Sequence, residues 1–299
     1  MRFHAAYVAL IAATVVACSN AVAAVHRVDV RPSDTDSTIV VANEPHIALR
    51  NTDVSRGPLL IFIPGTGGET VKTARIEKDF FETALSLGYR VIVLSYVDTP
   101  AISQVCTLET VISDPKCAEH VRQKRIFGDN VTKLVNDGPQ DAIVHRLAAL
   151  LQHLTRSDPQ GHWDEYLEAN QLNWSKMVLS GQSQGGGMAA FIAKRYLAGG
   201  VIDFSGGWDI QSKNRIASWY ALSGATPPDR LYGTYHVKEK FSGLIRDSYN
   251  AMRIPQDHQF ALDKPLRNPD AKNPGHAEGA SNPVYLDVWR EILDKLKRS

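Results

Sequence analysis

The stretch Lys176-Met-Val-Leu-Ser-Gly-Gln-Ser-Gln-Gly-Gly-Gly-Met188 decides the fold. Its first half is an apolar run of strand length, and its second half opens a helical pattern. Between the two halves, Gly181 and Gly185 permit a reversal so sharp that side chains at both positions would collide. The sequence therefore predicts a strand, a tight turn and a helix, with the hydroxyl of Ser183 held out at the turn.

Strand-length runs and helical patterns alternate along the rest of the chain. The strand candidates are Leu59 to Ile63, Arg90 to Ser95, Lys176 to Ser180, Val201 to Phe204, Leu231 to Tyr235 and a run near His258 to Leu262. The helix candidates are Val71 to Leu87, Asp141 to Leu154, Gly186 to Leu197, Phe241 to Met252 and a last helix that Asn282 caps, with Pro283 at its first position. This alternation predicts an α/β fold, in which helices cover both faces of a mostly parallel central sheet and the ligand site lies at the carboxyl ends of the strands. Two segments, Ile39 to Ala42 and His46 to Arg50, are predicted as antiparallel strands that extend the sheet edge.

Composition narrows the class of protein. The chain has 299 residues, of which 43% are hydrophobic, so it can bury a large core and is not mainly disordered. The 33 basic and 32 acidic residues nearly cancel, and no long basic run suggests a nucleic-acid interface. A small molecule is the expected partner.

The first 23 residues are typical of an export signal. Ala5 to Ala17 is an apolar run too short to span a bilayer, and Ala21-Val-Ala23 has the form of a cleavage site. We therefore expect residues 1–23 to be a signal peptide, residues 24–299 to be a single domain, and the protein to be periplasmic or secreted, with no transmembrane segment. Alternatively, Val15-Val-Ala-Cys18 resembles a lipobox, which would anchor the protein through a lipid on Cys18.

Export also makes the cysteine count informative. Once Cys18 is set aside, Cys106 and Cys117 remain, and an oxidising compartment would let them form a disulfide, with two free thiols as the alternative. Both lie in residues 96–137, the longest region without clear periodicity. Long irregular segments of this kind are often lids or binding loops, so we expect an insertion near the active site, pinned by the disulfide.

Chemistry at Ser183 requires donors that stabilise a developing negative charge. The turn places Ser183 at a helix N-terminus, where free N–H groups and the helix dipole favour such a charge. The N–H of Gln184 is the expected first donor of an oxyanion hole. The second is expected from Pro64-Gly-Thr-Gly-Gly68, directly after an earlier strand, with Thr66 preferred over Gly67.

A serine nucleophile also needs a base and an acid. In the order serine, acid, histidine, the candidate bases are His236, His258 and His276. His276 lies in a turn-rich loop before the final helix and is the preferred base. Glu239 follows a predicted strand end and is the preferred acid, with Asp209, one strand earlier, as the alternative.

Taken together, these motifs resemble the α/β-hydrolase superfamily of serine hydrolases over nearly the whole mature chain. The resemblance is carried by the Gly181 to Gly186 turn, the Pro64 to Gly68 loop, the acid candidates and His276. The cysteine pair, Asn173-Trp-Ser175 and Phe204-Ser-Gly-Gly-Trp-Asp209 are similar to a poorly characterised branch of exported bacterial hydrolases, which implies no particular substrate. The sequence departs from the superfamily pattern at Gln182, where a histidine is usual, and at Pro64-Gly65, where His-Gly is common.

The resemblance implies hydrolysis of a carboxylic ester through an acyl-enzyme, with no metal or organic cofactor. Two other functions are open: a non-catalytic binding module on the same scaffold, and a nucleotide-binding oxidoreductase suggested by Gly65 to Gly68 with Asp98 beyond the next strand. The spacing of that second motif departs from the dinucleotide fingerprint at Thr70. Trp163, Trp174 and Trp208 are expected to pack in the core, with a role in lining a pocket as the alternative.

Overall fold

A computed structural model of the protein describes residues 24–298. The predicted signal peptide and Cys18 lie outside these residues. The strands are β1 (Val25–Val30), β2 (His46–Asn51), β3 (Leu59–Ile63), β4 (Arg90–Val93), β5 (Leu167–Glu168), β6 (Gln171–Leu172), β7 (Met177–Gln182), β8 (Gly200–Phe204), β9 (Ile210–Ser212), β10 (Arg215–Ile216), β11 (Leu231–His236) and β12 (Gln259–Leu262). The helices are α1 (Pro32–Thr35), α2 (Thr70–Ile76), α3 (Lys78–Ser86), α4 (Ile102–Val105), α5 (Leu108–Ser113), α6 (Cys117–Phe127), α7 (Ile143–Ser157), α8 (Gln184–Arg195), α9 (Ser242–Ala251), α10 (Glu278–Ser281) and α11 (Leu286–Arg298).

Eight strands form the central sheet in the order β1-β2-β4-β3-β7-β8-β11-β12. The pairs β1/β2 and β2/β4 are antiparallel, and the other five neighbouring pairs are parallel. The predicted mostly parallel sheet is therefore confirmed. Strand β7, which leads to Ser183, lies near the centre of the sheet, with β3, the first strand of the parallel part, beside it.

The sheet is buried on both faces by two apolar clusters. Along β3, Leu59, Ile61 and Ile63 point into one cluster, which also contains residues of α6, α7 and α8, while Leu60 and Phe62 point into the other, beneath α3 and α11. This alternation follows from the two-residue period of a strand. Because both faces are covered, the parallel strands are continuous apolar runs rather than alternating ones.

The first edge strand differs from the prediction. Ile39 to Ala42 is not a strand: Ile39 is buried, Val40 is exposed, and Ala42 has a φ of 43°. The carbonyl oxygens of Val41 and Ala42 accept hydrogen bonds from the side chain of Arg146, at 2.8 and 2.9 Å, instead of joining a ladder. The strand that pairs with β2 is β1, Val25–Val30, earlier in the chain.

Two further segments differ in detail. The helix predicted from Val71 to Leu87 is two helices, α2 and α3, which meet at Glu77. Residues 96–137, which have no clear periodicity, contain the three helices α4, α5 and α6. A disulfide joins Cys106 to Cys117, as predicted, and closes a loop of 11 residues' separation around α5.

Within the described residues, 24–298, no helix combines the length and apolar character needed to cross a membrane.

Candidate active site

Ser183 lies at the turn between β7 and α8. Its φ of 56° and ψ of −121° place it in a region that non-glycine residues rarely adopt. The turn is held because the Ser183 N–H donates to the carbonyl of Phe204 at 2.8 Å. A Cβ at Gly181 would collide with the backbone of Gly185, and a Cβ at Gly185 would collide with the carbonyl of Ile63, so both positions require glycine. The strained turn therefore presents the Ser183 hydroxyl at the carboxyl edge of the sheet.

His276 lies within hydrogen-bond distance of this hydroxyl. The distance from its Nε2 to Ser183 Oγ is 2.9 Å. Its loop, between β12 and α10, is fixed because the Gln182 side-chain amide donates to the His276 carbonyl at 3.0 Å. Gln182, which departs from the usual histidine before the nucleophile, thus orients the loop that carries the imidazole.

Glu239 completes a hydrogen-bonded chain behind the imidazole. Its Oε2 lies 2.9 Å from His276 Nδ1, and its Oε1 accepts hydrogen bonds from Ser205 Oγ at 2.5 Å and from the His236 N–H at 2.8 Å. A hydrogen bond from Nδ1–H to Glu239 Oε2 leaves Nε2 as the acceptor for the proton of Ser183. Glu239 is buried, which keeps water from competing for its oxygens.

Asp209, the alternative acid, is engaged elsewhere. Its two carboxylate oxygens accept hydrogen bonds from Arg122 Nε at 2.7 Å and Arg122 Nη2 at 2.9 Å, and from Trp219 Nε1 at 2.9 Å. The Arg122 side chain is 2% exposed and that of Asp209 is 9% exposed. Burial alone lowers the pKa of Arg122, but the charge and hydrogen bonds of Asp209 outweigh it, and the net pKa is raised. The pair is a buried ion pair on the cavity wall.

The other two candidate histidines make different contacts. His236 Nδ1 accepts a hydrogen bond from the Lys238 N–H at 3.1 Å, and its Nε2 bonds to the Lys264 carbonyl at 3.0 Å. The His258 ring stacks on Tyr232, with centroids 4.0 Å apart. Among the three, His276 is the histidine that the structure brings to Ser183.

The two candidate oxyanion donors belong to different elements. Gln184 begins α8, and Thr66 follows β3 and lines the same cavity as Ser183 and His276. The loop of the reserve candidate, Gly67, is bound by Asp98, whose carboxylate accepts the Gly68 N–H at 3.0 Å. Thr66 as the second donor, with Gly67 as the reserve, stays a prediction.

A network of side-chain hydrogen bonds connects the loop after β3 to the start of α8. The Gln184 side chain donates to the Asp98 carbonyl at 2.8 Å and to Tyr96 Oη at 3.2 Å, while Tyr96 Oη donates to the Pro64 carbonyl at 2.9 Å. Burial raises the pKa of Asp98, and the N–H groups of Gly68 and Gly67 oppose the rise. We call Tyr96, Asp98 and the Gln184 side chain the loop brace, because they bind the loop of Thr66 to the start of α8. In the Gly65 to Gly68 motif that suggested dinucleotide binding, the acidic residue, Asp98, is therefore bound to the backbone of the motif itself.

Sequence analysis did not identify Ser205 or the loop brace. Ser205 directly follows β8, at the carboxyl edge of the sheet, and has a φ of 55°. Ser205 is a polar residue at the end of the strand beside β7, and this position could have identified it. Tyr96 and Asp98 follow the end of β4 in the same way.

A cavity of about 690 Å³ opens above Ser183 and His276. Its apolar walls are formed by Ala101, Ile102, Cys106, Leu108, Ala118, Trp208, Ile210, Phe241 and Leu244. Residues 96–137 supply one wall, and the loop after β8 with the start of α9 supplies another. Of the three tryptophans considered from sequence, Trp163 and Trp174 are buried in the core, whereas Trp208 lines this cavity.

No family model matches the sequence, and a search of curated proteins finds no match. Solved structures are similar in fold. A truncated carbohydrate esterase from gut microbiota aligns with a TM-score of 0.52 and 10% identity over 94% of this chain and 99% of that chain. An esterase/lipase from an uncultured bacterium aligns with a TM-score of 0.50 and 11% identity over 92% of this chain and 84% of that chain. These likenesses show that the chain has the α/β-hydrolase fold.

Proposed function

We propose that this protein of the α/β-hydrolase fold is a serine hydrolase that cleaves carboxylic esters through an acyl-enzyme. The observation that carries the proposal is the continuous chain from Ser183 Oγ to His276 Nε2 and from His276 Nδ1 to Glu239 Oε2, with both distances 2.9 Å. A nucleophile, a base and an orienting acid at hydrogen-bond distance are the parts that acyl transfer requires. The esterases of similar fold support ester hydrolysis in general.

Acylation follows from the positions of these atoms. Ser183 Oγ forms a bond to the ester carbonyl carbon as its proton passes to His276 Nε2, and the carbonyl π electrons move onto the oxygen. The N–H groups of Gln184 and Thr66 stabilise that oxyanion. When the carbonyl re-forms, the bond to the alcohol oxygen breaks, and the imidazolium gives its proton to the departing alcohol.

Deacylation repeats the sequence with water. His276 Nε2 accepts a proton from water as the water oxygen bonds to the acyl carbon. Collapse of the second oxyanion breaks the bond to Ser183 Oγ, which regains a proton from the imidazolium. The products are the carboxylic acid and the free enzyme, and Glu239 stabilises the imidazolium in both halves of the reaction.

We also propose that the protein is exported, with residues 1–23 as a signal peptide and residues 96–137 as an insertion that forms part of the binding site. The disulfide between Cys106 and Cys117 supports export, because such bonds persist in oxidising compartments. Anchoring through Cys18 is the alternative within this proposal. Mass spectrometry of the protein purified from its native envelope distinguishes a chain cleaved after Ala23 from one that carries lipid on Cys18.

Ser183→Ala tests the proposed function. We expect the substitution to lower kcat for p-nitrophenyl acetate by at least about 10⁴-fold, because no other group replaces the nucleophile. Ser113→Ala, at an exposed serine of α5, is the matched control and should leave kcat unchanged. Undiminished turnover by Ser183→Ala would exclude the proposal, and no turnover by the wild-type protein for any ester would favour a binding module on the same scaffold.

A further inference from the structure

The cavity has two walls that differ in their relation to the reacting atoms. In the proposed reaction, the departing alcohol receives its proton from His276 Nε2, so the alcohol moiety must lie on the His276 side of the carbonyl carbon. The oxyanion must lie toward the N–H groups of Gln184 and Thr66. The acyl group takes the remaining direction, so each wall can be assigned to one part of the ester.

The wall beside His276 is aromatic. The Trp208 ring meets the His276 ring at an interplanar angle of 81° with centroids 6.3 Å apart. Phe241 stacks on Trp208, with centroids 4.6 Å apart and an interplanar angle of 8°. Both rings line the cavity and both are half-buried, and Leu244 extends the same surface from α9.

Residues 96–137 form another wall, which has no aromatic side chain and contains both aliphatic and small polar residues. The Ile102 N–H donates to Gln184 Oε1 at 2.9 Å, which fixes the start of α4 next to the residue after the nucleophile. Cys106, in its disulfide with Cys117, and Leu108 continue this wall. With the alcohol on the aromatic side, this wall is left for the acyl group of a bound ester.

The buried charges on the cavity wall cancel. Arg122 donates to both oxygens of Asp209, and its remaining terminal nitrogen donates to the Gln184 carbonyl at 3.3 Å. Three of the five N–H groups of this guanidinium are thereby engaged, and the charge of Asp209 neutralises it. The exposed Lys213 lies at the rim, so the part of the substrate inside the cavity is expected to be uncharged.

We propose that the preferred substrate is an uncharged ester whose alcohol moiety carries an aromatic ring, which packs against Trp208 and Phe241. This inference rests on the proposed function. Aromatic rings prefer offset stacked or edge-to-face contacts with one another, and the Trp208–Phe241 pair offers such a surface at the place where the alcohol departs. Trp208 thus determines specificity for the alcohol moiety.

Two pairs of esters test the proposal. Benzyl acetate and methyl phenylacetate are isomers that place the same ring on the alcohol side or on the acyl side. Benzyl acetate and ethyl acetate form the same acetyl-enzyme, so any difference between them arises in acylation, while the alcohol is still bound. We expect the wild-type protein to have a kcat/KM for benzyl acetate about 10-fold to 100-fold above that for ethyl acetate, and also above that for methyl phenylacetate.

Substitutions at Trp208 assign the preference to this side chain. Trp208→Ala and Trp208→Leu should lower the ratio of kcat/KM between benzyl acetate and ethyl acetate by about 10-fold or more, and Trp208→Phe should restore most of it. Ile112→Ala, at an exposed apolar residue of α5 that does not line the cavity, is the control and should leave the ratio unchanged. Thermal unfolding of each variant confirms that it is folded.

Several results would overturn the proposal. One is a wild-type preference for methyl phenylacetate over benzyl acetate. Another is an equal loss for benzyl and ethyl acetate in Trp208→Ala, which would mean that Trp208 acts only on the orientation of His276. If the wild-type protein reacts with a fluorophosphonate at Ser183 but does not discriminate among the three esters, this inference fails while the proposed function stands. Absence of both labelling and turnover would remove both.

Discussion

Two carboxylates follow neighbouring strands at the active-site edge, and their hydrogen-bond partners distinguish them. Glu239 accepts from Ser205 and a backbone N–H and lies 2.9 Å from His276 Nδ1. Asp209 accepts from Arg122 and Trp219. The first arrangement orients an imidazole, while the second neutralises a buried guanidinium.

The two acids should therefore respond differently to removal of their charge. We expect Glu239→Gln to lower kcat by about 10⁴-fold with little change in the free energy of unfolding, because the imidazole loses the partner that selects its tautomer. Asp209→Asn should instead lower the free energy of unfolding by about 3 kcal/mol, because it leaves the Arg122 charge buried without a counter-charge. Steady-state kinetics and urea unfolding of both variants check this. A larger loss of kcat in Asp209→Asn than in Glu239→Gln would reverse the assignment.

The sequence identifies those site residues that a local sequence pattern marks. Ser183 is recognisable because glycines flank it and a strand and a helix enclose it. The local pattern does not distinguish Glu239 from Asp209, because each follows the end of a strand. Asp209 is set apart only by its ion pair with Arg122, which lies far away in the chain. Ser205 is missed for a similar reason, since its partner is 34 residues away in sequence.

Among the elements, the loop brace binds the loop after β3 to the start of α8, the two segments that carry the proposed oxyanion donors. Tyr96 binds Pro64, Asp98 binds Gly68, and the Gln184 side chain binds both Tyr96 and the Asp98 backbone. The loop after β3 and the N-terminus of α8 are thereby fixed relative to one another. Donors that are fixed before the reaction stabilise the transition state without reorganisation.

Loosening this brace should affect kcat more than KM. We expect Asp98→Ala to lower kcat for p-nitrophenyl acetate by about 10-fold with KM little changed, because the oxyanion exists only in the transition state and the intermediate. Asp98→Asn keeps an oxygen that accepts the Gly68 N–H and should recover most of the loss. A rise in KM at constant kcat, or no difference between the two variants, would contradict a positioning role.

The disulfide within residues 96–137 directly affects the free energy of unfolding. Closing a loop of this length restricts the unfolded chain, so the double variant Cys106→Ala/Cys117→Ala should lower the free energy of unfolding by about 3 kcal/mol. Urea unfolding with and without a reducing agent measures the difference. The wild-type protein with reductant should match the double variant without it, and an unfolding midpoint insensitive to reductant would show that the bond contributes little.

The elements were predicted unevenly, and the reason is physical. Strands of the parallel sheet are buried on both faces, so continuous apolar runs mark them clearly. Residues 96–137 contain short helices held by the disulfide and by buried arginine side chains rather than by a regular apolar face, so their sequence lacks the helical period. The loop at Ile39 to Ala42 depends on a partner elsewhere in the chain, Arg146, which binds the carbonyl oxygens of Val41 and Ala42.

Across the whole molecule, buried carboxyl groups couple stability to pH. Burial raises the pKa of Glu77 to about 8, and burial raises the pKa of Asp203 to about 7. In the described part of the chain, Glu77 Oε2 and Asp203 Oδ2 have no hydrogen-bond partner. Both groups therefore hold a proton in the native state at pH values where the unfolded chain has lost it.

The sign of the effect follows from this difference in bound protons. Between the unfolded pKa of about 4.5 and the folded pKa of about 8 for Glu77, the native state binds more protons, so the free energy of unfolding falls as pH rises, by up to about 1.4 kcal/mol per pH unit for each group. Glu77→Gln should flatten this slope, because its side chain is neutral at every pH. Urea unfolding at about pH 5, 6.5 and 8 measures this slope. Glu82→Gln, at an exposed residue of α3, is the control. An equal slope in the wild-type protein and Glu77→Gln would contradict the prediction.

Covalent labelling reports whether Ser183 is the nucleophile. The intact protein is treated with a fluorophosphonate, digested, and sequenced by tandem mass spectrometry. We expect a single adduct on Ser183, formed slowly or not at all in His276→Ala. An adduct on another residue, or none on a folded wild-type protein, would contradict it.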